Sequence, residues 1–145
     1  MTPSGGRRTN LPDRKSSFLL SSTPHDLTTV SKSLHDNIDV IESAYEFLLA
    51  YAAQGRESDD GPGGSEVRTT LAGMSEAAQD IAAYLSSNES DFGVVVIEDA
   101  GKAGAAIALV LAQEKISSEL VDNLNASIHL RALLTDLFLL SEATT

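Results

Sequence analysis

His35, Asp39, Glu42 and Glu46 follow one another at steps of four, three and four within LHDNIDVIESAYEFLLAYAAQ, residues 34–54. A second set, Asp122, Asn125, His129 and Asp136, follows at three, four and seven. Imidazoles and carboxylates in register along helices are donors that suit Fe, Mn or Zn. If the two helices are antiparallel neighbours, the rows meet, and His35, Asp39, Glu42, Glu46 and His129 form a metal-binding or redox centre of the ferritin-like kind. Such bundle centres place a Glu on each of two helices and Glu-x-x-His on each of the other two, all facing inward. The chain contains no Glu-x-x-His. On a helical wheel the His35 row stands roughly 110° from the apolar row of its own helix, which assigns it to a solvated flank. The expectation is no bound cofactor, with the metal centre as the alternative.

Other chemistries find less support. The chain has no cysteine, so disulfides, thiolate zinc sites and thiol nucleophiles are excluded. No G-x-S-x-G elbow is present to present a serine nucleophile. Histidine phosphotransfer domains are also acidic four-helix bundles, with Lys and Gly soon after the reactive His. Here His35 precedes Asp-Asn-Ile and His129 precedes Leu-Arg-Ala, so that reading is a weaker alternative resting on fold analogy. The residues point away from an enzyme.

The elements that must carry these side chains are legible from spacing. Leu34, Ile38, Ile41, Tyr45, Leu48 and Ala52 alternate steps of four and three, as do Val67, Leu71, Met74, Ala78, Ile81 and Leu85. This periodicity predicts a helix from Asp26, as its cap, to about Gln54, and a second from Ser65 to about Ser86. GRESDDGPGG, residues 55–64, is the loop between them, with Gly55 ending the first helix.

The β-branched run VVVI at 94–97 suits either a buried strand or a helix. A lone strand has no partner for its backbone, and GKAG is neither a dinucleotide fingerprint nor a P-loop. Residues 91–114 therefore read as one helix, with Ala100, Ala103 and Gly104 allowing another backbone to come close. A fourth helix is expected over 118–140. The resulting fold class is all-α, a four-helix up-and-down bundle over residues 26–145 behind a disordered basic tail over residues 1–25.

Charge is unevenly spread. Arg7, Arg8, Arg14 and Lys15 against Asp13 give the tail +3, so the net −11 leaves −14 on residues 26–145. A folded body that acidic repels nucleic-acid backbones and anionic membranes. No uninterrupted apolar run approaches the ~18 residues of a membrane span, and the N-terminus lacks a secretory apolar core. A cytoplasmic location is the expectation.

Apolar surface is in surplus. Val40, Ala44, Phe47 and Tyr51 form a second row on the first helix, and with Leu49 the apolar arc spans roughly 200°, against about 100° for a surface helix. LRALLTDLFLL, residues 130–140, carries leucines all round its helix. Val40, Ala44, Phe47, Tyr51, Leu133, Leu137 and Phe138 are thus the expected contact surface for a protein partner, most simply a second copy in a homodimer. Acidic flanks would favour basic partners. Arg131 is expected to pair with Glu42 or Glu46. The functional expectation is a non-catalytic interaction or regulatory helical module acting by helix-face docking.

Overall fold

The structure is a computed structural model describing residues 24–88 and 90–144, with side chains described over 34–88 and 90–143. Among the described residues there are five helices, in the order α1 (Pro24–Ala52), α2 (Glu66–Ser86), α3 (Asp91–Leu111), α4 (Ser118–Ala126) and α5 (Ile128–Thr144). The tail expected over 1–25 lies, but for its last two residues, outside the described residues. The chain divides into two units, Met1–Ser33 and Leu34–Thr145. The core described below belongs to the second. Helical backbone begins at Pro24, so Asp26 sits inside the first turn of α1 instead of capping it.

Each helix buries one apolar row. In α1 this is Leu34, Ile38, Ile41, Ala44, Leu48 and Tyr51. The expected seam holds over its first half and then drifts by one position, leaving Tyr45 and Ala52 half-buried. The buried row advances fewer residues per turn than the 3.6 of a straight helix, so it winds around α1 and Tyr51 takes the inner place. In α2 Val67, Leu71, Met74, Ala78, Ile81 and Leu85 are all buried as expected, joined by Ala77.

The VVVI run is helical. Only Val96 of the four is buried, while Val94 and Val95 stand exposed. Ser90, with extended backbone, starts α3 by accepting the Gly93 N–H on its hydroxyl at 2.9 Å. A Cβ at position 93 would stand 2.9 Å from that same oxygen, which gives the glycine its reason. Ala100 and Ala103 are buried where α3 meets its neighbours. α3 packs along α2 and against α4 and α5, and α4 touches α5 where they join.

The expected fourth helix is two helices. Ser127 is extended, at φ −65° and ψ 144°, and its hydroxyl accepts the Leu130 N–H at 3.2 Å. A serine that can satisfy a backbone donor locally competes with the helical ladder. The physical gain is one of phase. An unbroken helix would continue the buried stripe of Val121 and Leu124 through Ile128 and Arg131. The break instead turns Ile128 and Arg131 outward, at 71% exposure for Ile128, and brings Leu130, Leu133, Leu134 and Leu137 into the core.

Candidate functional site

The His35 row runs along the flank of α1: His35 and Glu42 are half-buried, Asp39 and Glu46 exposed. His129 is exposed near the start of α5. Among the described residues no group of three or more His, Asp or Glu side chains comes together in a way that could hold a metal ion. The second row does not converge either, since Asp122 and His129 face water while Asn125 and Asp136 are buried. The alternative metal set of His35, Asp39, Glu42, Glu46 and His129 therefore has no converging geometry here. Arg131 is exposed, and among the described residues it makes no ion pair with Glu42 or Glu46. The rephasing at Ser127 is the cause.

The expected contact surface separates into two groups. Tyr51, Leu133 and Leu137 are fully buried, so these three pack the interior and have no surface to offer a partner, while Ala44 keeps 7% exposure. Val40 and Phe138 stand out at 43% and 55%, with Leu139 beside the latter at 56%. Phe47 is half-buried, its ring 6.3 Å from that of Tyr51. Val40, Ala44 and Phe47 line an open groove of about 430 Å³, with Thr69, Thr70 and Gly73 of α2 opposite and Asp39 and Ser43 beside them.

The most heavily bonded polar cluster lies in the stretch that sequence alone reads as a plain loop. The Asp59 carboxylate meets Arg68 Nε at 2.7 Å and accepts the Ile116 N–H at 2.9 Å. The guanidinium of Arg68 also donates to the carbonyls of Leu111, Gln113 and Glu114 at 3.1, 2.9 and 2.9 Å, satisfying carbonyls left open at the end of α3. Ser118 joins α1, the loop and α4: its hydroxyl donates to Tyr51 O at 2.7 Å and accepts the Arg56 N–H at 2.8 Å. Its own N–H donates to Arg56 O at 2.8 Å. The Tyr51 hydroxyl donates to Ile116 O at 2.7 Å, and the Arg56 guanidinium carbon lies 5.7 Å from the Tyr51 ring centre.

Electrostatics follow these contacts. The Arg68 guanidinium, and then the Ile116 N–H, hold the Asp59 carboxyl down to about 2. Burial, reinforced by the Asp59 charge, pushes the Tyr51 hydroxyl up. One sequence signal does point to this cluster. Arg68 sits in the first turn of α2, where the helix dipole disfavours a cation, so a specific acceptor set has to hold it.

The cluster is a clasp, built to fasten two connections to the helix ends. Removing the Asp59 side chain leaves Arg68 Nε and the Ile116 N–H without their acceptor. Asp59→Ala should therefore lower stability by about 1.5–3 kcal/mol, the range for hydrogen bonds to charged groups. A carboxyl depressed in the folded state stabilises above its unfolded value near 3.8 and loses that contribution as pH falls toward about 2. Urea midpoints between pH 5 and 2 should thus fall less steeply for Asp59→Ala than for the parent.

No protein-family model matches the sequence, and no curated protein or solved structure matches it. What the fold and its surfaces define is an all-helical body with a polar clasp at one set of connections and an apolar groove between α1 and α2.

Proposed function

We propose that the protein is a non-catalytic helical interaction module that docks through helix faces and assembles as a homodimer. In this reading α4 and α5 together serve as the fourth, interrupted member of an up-and-down bundle, since α3 packs against both. No helix among the described residues is long and apolar enough to cross a membrane. We take the setting to be cytoplasmic.

The observation that carries the reading is the pairing of an apolar groove with exposed apolar side chains on another helix. Val40 and Phe47 edge the groove, and Phe138 and Leu139 project from α5. A two-fold assembly in which the groove of each copy receives α5 of the other closes on itself, with both contacts made twice. Two bodies each carrying −14 over residues 26–145 repel, so the contact must be apolar and must strengthen with salt.

Light scattering after size exclusion tests this directly. The parent should have the mass of two chains, with a dimer fraction that rises between low and high ionic strength. Val40→Asp and Phe138→Asp should each run as one chain with unchanged helical circular dichroism. A parent that remains a single chain at every concentration and salt level removes the homodimer. A dimer indifferent to both substitutions removes these two faces.

A further inference from the structure

We propose that Asp99 of α3 and Asp136 of α5 form a proton-sharing carboxyl latch that holds α5 against α3 and lets go when the shared proton leaves. Asp136 is 7% exposed, on a helix whose neighbouring positions Leu133 and Leu137 are fully buried. One of its oxygens, Oδ2, has no hydrogen-bond partner. The half-buried Asp99 carboxyl of α3 acts on it across the α3–α5 contact. Two carboxylates can share a hydrogen bond only if one of them keeps its proton.

Among the described residues no cation pairs with Asp136 in place of that proton. Lys102 on α3, and His129 and Arg131 on α5, are exposed and form no ion pair with Asp136. From α4 the charged groups are Glu119 and Asp122, both exposed acids. Among the described residues of α1, the charged groups are Asp36, Asp39, Glu42, Glu46 and, when protonated, His35, and none bonds to Asp136. Asp99 is the titratable group that acts on it. Burial first, and then the Asp99 carboxyl, push Asp136 up to about 7.

The direction of the effect follows from linkage. An acid whose folded value is raised stabilises the closed contact fully below its unfolded value near 3.8 and loses that stabilisation as pH rises to about 7. Each pH unit in that window changes the closed-to-open ratio by up to about tenfold. Opening would uncover Leu130, Leu133, Leu134 and Leu137, so the latch couples a proton to exposure of an apolar helix face. It requires no partner and stands apart from the self-association proposed above.

Amide hydrogen exchange on the full chain, corrected for intrinsic rates, is the test. From pH 5 to pH 7.5 the opening constant of peptides within α5 should rise by up to about a hundredfold relative to peptides within α2. Asp136→Asn should abolish that differential rise, and Asp99→Asn should shrink it. Should Asp136→Asn fail to fold, the parent and Asp99→Asn decide the matter. Equal pH response of α5 and α2 in the parent overturns the latch, as does a full parental response in a folded carboxyl variant.

Discussion

Tyr51→Ala should lower the stability of the chain by about 3–5 kcal/mol, the range for emptying a buried aromatic site. The side chain is fully buried, and its hydroxyl reaches the Ile116 carbonyl 65 residues away in sequence. The substitution opens a cavity under α1 and leaves the Ile116 carbonyl without its buried donor. Tyr51→Phe separates the two effects. It keeps the ring and removes only the hydroxyl bond, so it should cost about 1 kcal/mol. Urea unfolding followed by circular dichroism measures both. A Tyr51→Ala chain as stable as the parent would mean that the tyrosine is not packed inside, and its place in the clasp would be wrong.

Leu137→Ala should lower stability by about 2–5 kcal/mol, with no dependence on protein concentration beyond that of the parent. Leu137 is fully buried in the same core as Leu133 and Leu130. A residue that served the dimer contact alone would behave differently, leaving the unfolding of the single chain almost untouched. Phe138→Asp is the matched opposite, since that side chain is more than half exposed and its removal leaves the core filled. Neighbouring positions on one helix thus divide between folding and docking. Unfolding curves at two protein concentrations distinguish them. Leu137→Ala behaving like Phe138→Asp would place α5 outside the core.

The apolar rows of the first two helices were legible because helical burial is a local, periodic property. Every third or fourth residue faces the same way whatever lies opposite. The row in α2 was read from spacing in full, and that in α1 to within a drift of one position. The surplus of apolar surface was equally legible, but its allocation was not. Tyr51 and Val40 look alike as members of one row, yet one is fully buried and the other is 43% exposed. Periodicity assigns a face to a residue without saying whether a neighbouring helix or water covers that face.

The polar clasp escaped the sequence for a related reason. Asp59 and Ile116 are 57 positions apart, and Arg56 and Ser118 are 62 apart. A loop rich in Gly, Asp and Ser declares itself irregular by composition, which says nothing of what its carboxylates will meet. Asp136 was visible as one of a row of polar residues. Its carboxyl partner on α3 was not, because pairing between helices depends on how they are rotated and stacked.

What the sequence by itself determined is the helical class, the positions of α1 to α3, the loop at 55–64 and the acidic charge of the body. Each follows from the identity of residues within a few turns of one another. What only the tertiary structure decided is the break at Ser127, and with it the fate of α5. Locally, residues 118–140 suit one helix about as well as two, because a capping serine and a continued ladder differ by little more than a single hydrogen bond. The choice falls to burial. Breaking at Ser127 places Leu130, Leu133, Leu134 and Leu137 in the core and turns Ile128 and Arg131 to water. Several buried leucines outweigh one exposed isoleucine.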